Sequence, residues 1–294
     1  MIIEISYVLE NIKFSYSNES ICGCYRMKIA VSGKGGVGKT FIAGTLAWLF
    51  AKDKYPVIAI DADSSPSLAM MFGLSEEEAD AVLPISKNRE LIDQKTGTGF
   101  PGVYSLAFSV DDIIGRYSLP TPAGVNLMVM GTITSMGSGC TCQANTLVRA
   151  LLRHLVVDRD EVVIIDLEAG VEHLGRGTAE NVDIMLVVTD ANAKSLQTAH
   201  RIATLAREAG IDRVLLVGNM IEDQEQCEVI SSYARNHGLR IVSWIPFSRE
   251  VKENGIKGVP VFSELGGPVL HVFELLRSVL CEDTGACRTS EAGR

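Results

Sequence analysis

Long apolar runs are absent from this sequence of 294 residues. The apolar segment FIAGTLAWLFA ends after about eleven residues, whereas a membrane-spanning helix needs about 20. The N-terminus carries Glu4 and Glu10 and has no basic segment, so it does not resemble a secretory signal. The sequence therefore predicts a cytoplasmic protein with no membrane partner.

Clustered basic residues are also lacking. The chain has 27 Lys and Arg residues against 36 Asp and Glu, which gives a formal net charge of −9. Because the phosphate backbone of a nucleic acid is held by clusters of Lys and Arg, we expect no nucleic-acid partner. The hydrophobic content of 47% is sufficient for a large buried core.

A disulfide framework is not expected, because the number of cysteines is odd. Seven cysteines in a chain of this length fit a reducing compartment. Cys227 and Cys281 lie in helix-like segments and are interpreted as ordinary thiols. Two C-x-C pairs remain, of which Cys22 and Cys24 lie near the N-terminus; their roles stay open.

Short runs rich in β-branched residues alternate with helix-like segments from Met27 onward. This alternation predicts a single-domain α/β fold, with a mostly parallel sheet of about eight strands and helices on both faces. The predicted strands are MKIAVS, YPVIAID, VYSLAF, VNLMVM, EVVIID, DIMLVVT, RVLLVGN and LRIVSWIP. The predicted helices include NTLVRALLRHLVVD, AKSLQTAHRIATLAREAG and EQCEVISSYARNHG.

Three parts of the chain depart from the alternation. Residues 1–26 have no clear period and are interpreted as an N-terminal extension, with an over-read start site as the alternative origin. Residues 75–101 are interpreted as a surface excursion, and residues 283–294 as a disordered polar tail. The predicted domain therefore covers residues 27–282.

A glycine-rich run follows the first strand and precedes a helix-like segment, which is the context of a P-loop. Its glycines allow backbone N–H groups to turn toward phosphates, while a chance glycine-rich turn is the alternative. Lys39 is predicted to reach the β- and γ-phosphate oxygens, and the Thr40 hydroxyl to ligate Mg²⁺. The predicted phosphate-binding residues are Gly33, Lys34, Gly35, Gly36, Val37, Gly38, Lys39 and Thr40.

Carboxylates follow two of the other predicted strands. Asp61 and Asp63 end the second strand, where one is predicted to hold a magnesium-bound water and the other, Asp63, to position the attacking water. A helix N-cap cluster is the alternative. Asp166 ends VVIID and is predicted to contact Mg²⁺ through water, with Gly170 near the γ-phosphate.

The base of the nucleotide is predicted to be adenine. A guanine-specific protein would be expected to carry N-K-x-D, whereas VGNMIED supplies Asn219 without the lysine. Asn219 is predicted to contact the base edge, and the following WIPF resembles a base-side loop of adenine-binding proteins.

The second lysine of the run makes the pattern more specific. KGGVGKT resembles the deviant Walker A motif of dimeric ATPases that include the nitrogenase iron protein and the septum-placement and plasmid-partition ATPases. In that class the first lysine reaches phosphates bound by the other subunit. The resemblance implies that Lys34 has this catalytic role beside Lys39 and Asp63, and that ATP closes a homodimer.

The second C-x-C pair, Cys140 and Cys142, lies just before a helix-like segment. Two thiolates are too few for a closed tetrahedral site, but two subunits would supply four. Thiolates favour Zn²⁺, Ni²⁺ or an iron–sulfur cluster over Mg²⁺. Two small residues in a turn are the alternative.

A closer resemblance covers about residues 27–280. GCTCQANTLVRALLRHL and IIDLEAGVEHLGRGT are similar to the family of carbon monoxide dehydrogenase maturation factors. The resemblance implies an ATP-dependent metallochaperone that binds Zn²⁺ or Ni²⁺ between subunits through Cys140 and Cys142, with carbon monoxide dehydrogenase as the client. His173 is a transient metal ligand or, alternatively, a surface histidine. The DLEAG segment departs from the D-T-P-x-G of many relatives.

Two other functions stay open. One is an ATP-dependent reductase with a [4Fe–4S] cluster between subunits, although in that family the two cysteines of each chain are widely separated. The other is a positioning ATPase, which would need a membrane-binding helix or a basic face for DNA.

Overall fold

The centre of the protein is a set of strands that are buried on both faces. The computed structural model describes residues 26–63, 67–98, 105, 108–131, 139–168, 170, 174 and 176–283, without the side chains of residues 139–142, 176–177, 264 and 283. Every residue is buried in β1 (Lys28–Gly33), β2 (Val57–Ala62), β5 (Val162–Leu167) and β6 (Ile184–Thr189). Near-continuous Val, Ile and Ala sequences are typical of parallel strands that are covered on both sides.

The sheet is completed by β3 (Leu119–Pro120), β4 (Asn126–Val129), β7 (Val214–Ile221) and β8 (Arg240–Pro246). The strand order is β3-β4-β2-β5-β1-β6-β7-β8, and only the β3–β4 pairing is antiparallel. The predicted fold class is confirmed. The carboxyl ends of the seven parallel strands therefore share one edge of the sheet.

Helices cover both faces of this sheet. Connections that run in opposite directions along a parallel sheet place their helices on opposite faces, because each crossover is right-handed. The helices are α1 (Lys39–Lys52), α2 (Leu68–Met71), α3 (Glu76–Ala81), α4 (Arg89–Thr96), α5 (Asp111–Tyr117), α6 (Gly139–Val157), α7 (Arg176–Ala179), α8 (Ala193–Glu208), α9 (Gln224–Asn236), α10 (Arg249–Lys257), α11 (Val261–Glu264) and α12 (Gly267–Asp283).

The segment interpreted as a surface excursion contributes to the core in part, although its helix α3 buries no residue. It contains α3, a 3₁₀ turn over Ile85–Lys87 and α4, and it buries Ile85, Leu91 and Ile92. The Asn88 side chain caps α4 by accepting a hydrogen bond from the Leu91 N–H at 3.0 Å. The apolar residues of α4 are too few for a clear period, so the packing became visible only in three dimensions.

One of the eight predicted strands is not found at its predicted position among the residues that the structure describes. The six residues VYSLAF fall mostly outside the described part of the chain, and Ser105 and Phe108, which are described, are not in a strand. The eighth strand is instead β3, which has two residues. A strand of this length has no detectable alternation and depends on its neighbour β4 for its definition.

Candidate functional site

The phosphate loop joins β1 to α1 at the carboxyl edge of the sheet. Gly36 and Gly38 have φ angles of +84° and +90°. An added Cβ at Gly38 would lie 2.3 Å from Asn219 Nδ2, so a larger residue is excluded by contact as well as by conformation. The first turn of α1 has no side-chain cap and no acidic residue, which leaves its N–H groups directed at an anion site.

The two lysines of the loop have different environments. Lys39 is only 6% exposed, and its ammonium makes no hydrogen bond or salt bridge within the described part of the chain. Lys34 is half-buried and likewise has no ion pair with a described residue. A buried ammonium needs a partner of opposite charge, and phosphate oxygens beside the loop would supply it to Lys39.

Asp166 fits the requirements of a magnesium site. The Thr40 hydroxyl donates to Asp166 Oδ2 at 2.6 Å, which leaves the Thr40 lone pairs for a cation. Asp166 Oδ1 is buried without a hydrogen-bond partner among the described residues, and burial raises the pKa of this carboxyl to about 7. A hard cation would satisfy the orphaned oxygen and favour the ionised carboxylate, so the residues fit Mg²⁺.

Asp61 is the register partner of Asp166 on the neighbouring strand, so the two carboxyls lie side by side. Its oxygens accept hydrogen bonds from the N–H groups of Asp63 at 3.2 Å, Ser67 at 2.9 Å and Leu68 at 3.0 Å. Burial raises the pKa of Asp61 to about 6. These contacts correspond to the alternative of a helix N-cap cluster, because Ser67 and Leu68 begin α2. Asp63 is partly exposed beside it.

Gly170 follows β5 and lies against β1. Its N–H donates to the Ser32 hydroxyl oxygen at 3.2 Å. Ser32 was not among the predicted site residues, because no phosphate-loop rule assigns a role to the residue before Gly33. The contact spans 138 positions in sequence and was not visible from any local pattern.

The Asn219 side chain is hydrogen-bonded to the phosphate loop. Its side-chain Nδ2 donates to the Val37 carbonyl at 2.7 Å, and the residue is buried. Met220 follows with φ of +59° at an irregularity in the β7–β8 pairing. Beside these residues opens a cavity of about 470 Å³, whose mostly apolar wall includes Phe41, Met220, Ile245, Pro246, Phe247 and Val251. A flat aromatic base suits such a wall, and base contact by Asn219 stays a prediction.

The C-x-C pair lies within the first turn of α6 rather than before the helix. Arg26, which precedes β1, donates to the Val157 carbonyl at 2.8 Å, so α6 ends at the edge where the strands begin. The helix has 19 residues and is about 28 Å long, which brings its N-terminal turn to the phosphate-loop edge. The side chains of Cys140 and Cys142 lie outside the described part of the structure, as do Cys22, Cys24 and His173 in full.

No cluster of three or more potential metal ligands occurs among the residues that the structure describes. Cys227 and Cys281 are buried thiols in α9 and α12, as predicted. Within the described ranges, no helix has the length and apolarity needed to cross a membrane.

The fold and the loop together define a class of protein. Residues 28–261 match the model of the CobQ/CobB/MinD/ParA nucleotide-binding domain, so the chain belongs to this family. It is accordingly a P-loop ATPase, and the family implies ATP and Mg²⁺ as ligands.

Three similar proteins illustrate the relationships of the chain within and around this family. The chain is 42% identical over 240 residues to an uncharacterised ATP-binding protein of Methanocaldococcus jannaschii, covering 80% of this chain and 91% of that protein. It is 45% identical over 199 residues to the carbon monoxide dehydrogenase accessory protein CooC of Rhodospirillum rubrum, covering 66% and 74%. The MinD cell division protein of Aquifex aeolicus, solved with MinC, superposes with a TM-score of 0.63 at 17% identity and covers 91% of this chain and 98% of its own.

Proposed function

We propose that this protein is a dimeric, ATP-dependent metallochaperone that delivers nickel to carbon monoxide dehydrogenase. The observation that carries the proposal is the position of the helix turn that contains Cys140 and Cys142. This turn lies at the same edge of the sheet as the phosphate loop. The identity to the carbon monoxide dehydrogenase accessory protein supports the same client. A site at this edge would respond to the nucleotide bound beside it.

The ATPase step follows from the loop residues. Lys39 and the first N–H groups of α1 would bind the β- and γ-phosphates, and Thr40, together with Asp166 through a water molecule, would hold the magnesium ion. When bound, Mg²⁺ neutralises charge on the transferred phosphoryl group. Asp63 positions the attacking water, while Lys34 reaches the phosphates of the partner subunit. Hydrolysis therefore needs both subunits.

The metal is the cargo of this cycle. Cys140 and Cys142 of two subunits together supply four thiolates, which favour Zn²⁺ or Ni²⁺. Thiolates bind such ions best when they are held at a fixed separation, and ATP-driven closure of the dimer would set that separation. Hydrolysis would then open the site and release the ion to the client.

Packing contacts within one subunit support coupling between the nucleotide site and the proposed metal site. The helix α6 packs against α7, which follows the segment after Asp166, and against α4. The buried Gln143 side chain, next to Cys142 in sequence, donates to Thr96 Oγ1 of α4 at 3.3 Å. A displacement after β5 would therefore be transmitted to the turn that carries the cysteines.

Metal titration tests the proposal. Anaerobically purified protein is titrated with Ni²⁺ and with Zn²⁺, with and without a non-hydrolysable ATP analogue, while light scattering reports its mass. We expect one ion per dimer and a reciprocal dependence of metal and nucleotide affinities. Cys140→Ser and Cys142→Ser should each abolish this binding, and the matched control Cys227→Ala should not.

Two results would contradict the proposal. Metal binding that is unchanged in Cys140→Ser excludes the C-x-C site, and equal metal affinity with and without the analogue excludes the coupling. A broad visible absorption band in the anaerobic protein would instead indicate an iron–sulfur cluster and the reductase alternative.

A further inference from the structure

Ser32 makes an unusual set of contacts for a residue in the middle of a buried sheet. It is fully buried near the end of β1. Its hydroxyl oxygen lies 3.1 Å from the Glu168 carbonyl oxygen and 3.3 Å from the Gly170 carbonyl oxygen, and either carbonyl can accept its proton. The same oxygen accepts the Gly170 N–H at 3.2 Å. One side chain thus holds the backbone that follows β5.

The hydrogen-bonding capacity of these groups limits what Gly170 can do. A hydroxyl has one proton, so Ser32 donates to one of the two carbonyls at a time, and its lone pairs accept the Gly170 N–H. That N–H has a single hydrogen and is satisfied by Ser32. If it is to donate to a phosphate oxygen, it must leave Ser32.

We propose that Ser32 competes with the γ-phosphate for the Gly170 N–H and thereby sets how strongly the protein distinguishes ATP from ADP. The inference rests on the ATPase cycle of the proposed function and on the sequence-based prediction that Gly170 lies near the γ-phosphate. With ADP the N–H stays on Ser32, and with ATP it moves to the phosphate. Ser32 acts through Gly170 and is therefore a positioning residue.

A neighbouring contact, between α1 and β5, behaves differently. Thr40 donates to Asp166, and a hydroxyl can keep this bond while its lone pairs face a metal ion. That contact is compatible with both nucleotides and does not discriminate between them. Only the bond to Ser32 must be exchanged, because Gly170 N–H has one hydrogen to give.

Removal of the Ser32 hydroxyl should change the relative affinities for ADP and ATP in one direction. In Ser32→Ala the Gly170 N–H is left buried without an acceptor when ADP is bound, but it is satisfied when the γ-phosphate is present. A ligand shifts an equilibrium only by its differential affinity for the two states, so ATP should gain affinity relative to ADP. We expect the Kd ratio of ADP to ATP analogue to rise about tenfold, which corresponds to about 1.4 kcal/mol.

Calorimetric titration of ADP and of a non-hydrolysable ATP analogue, both with Mg²⁺, provides the test. Ser195→Ala and Ser243→Ala are the matched controls, because both serines are buried and their hydroxyls have no hydrogen-bond partner among the described residues. Neither control should change the ratio. Ser32→Cys supplies a second variant, since its sulfur is a weaker acceptor than the hydroxyl oxygen; its ratio should rise by less than that of Ser32→Ala.

The outcomes separate a positioning role from a structural one. If Ser32→Ala weakens both nucleotides equally, or favours ADP, the inference is wrong and the hydroxyl only supports the fold. If Ser32→Ala does not fold, an unchanged ratio in Ser32→Cys overturns the inference in the same way. Failure of the metallochaperone proposal is recognised separately, because it concerns metal binding to Cys140 and Cys142 and leaves this ratio untouched.

Discussion

At the scale of single residues, Lys28 is a buried charge at the sheet edge opposite the phosphate loop. Its ammonium donates to the carbonyls of Arg159 at 2.8 Å and Glu161 at 2.7 Å, and the residue is 2% exposed. Burial outweighs the attraction of Glu161 and lowers the pKa of Lys28 from 10.5 to about 8. Between these values the unfolded chain holds a proton that the folded protein has released.

The stability conferred at this position should therefore rise with pH. Relative to Lys28→Met, the free energy of unfolding of the natural protein should increase from about pH 8 to pH 10.5, by at most about 3 kcal/mol at about 1.36 kcal/mol per pH unit. Urea unfolding at several pH values measures this. The control Lys257→Met, on the exposed surface of α10, should follow the natural protein. If the free energy of unfolding varied with pH in the same way in the natural protein and in Lys28→Met, the prediction would be wrong.

Cys227 is predicted to be an unreactive thiol. Burial in α9 raises its pKa to about 11, with smaller contributions from Asp223 and Glu228. Because the thiolate is the nucleophile, alkylation by iodoacetamide at pH 8 should be about a hundredfold slower than in the unfolded chain. Peptide mass mapping before and after denaturation measures both rates. Equal rates would mean that the thiol is accessible in the folded protein.

At the scale of elements, two capped helices differ in how they are packed. Asn88 caps α4, which packs on α6, whereas Ser75 forms a capping box with Glu78 on α3, which buries no residue. Asn88→Ala should lower the global free energy of unfolding by about 1 kcal/mol. Ser75→Ala should leave it unchanged and only speed amide exchange over residues 76–81, because α3 can open alone. Equal losses in the two variants would contradict this difference.

Element prediction succeeded where burial left a strong pattern. The strands β1, β2, β5 and β6 are apolar throughout and were predicted nearly to the residue. The interpretation of residues 75–101 is wrong for the 3₁₀ turn and α4, because these elements are short and depend on packing against α6. Helix propensity predicts such short segments poorly, because tertiary contacts determine whether they form helices.

At the scale of the whole molecule, the role proposed for Lys34 would connect the ATPase site to assembly of the dimer. Lys34→Ala should still bind ATP, because Lys39 and the α1 N–H groups remain. It should lose hydrolysis by roughly 10³-fold, as expected for a cation supplied in trans, together with ATP-dependent dimerisation. Phosphate release and light scattering in the ATP analogue measure the two effects. Lys87→Ala, at an exposed position, is the control. Normal turnover by Lys34→Ala would remove the proposed link between nucleotide and dimer.

The sequence by itself determined the phosphate loop, the buried strands and the class of ligand, because each is written in contiguous residues. A glycine-rich run between an apolar strand and a helix specifies phosphate binding through local backbone geometry alone. The tertiary structure decided which side chains complete the site. Asn219 reaches Val37 across 182 positions, and Ser32 reaches Gly170 across 138. Such contacts depend on strand order and register, which local periodicity does not contain.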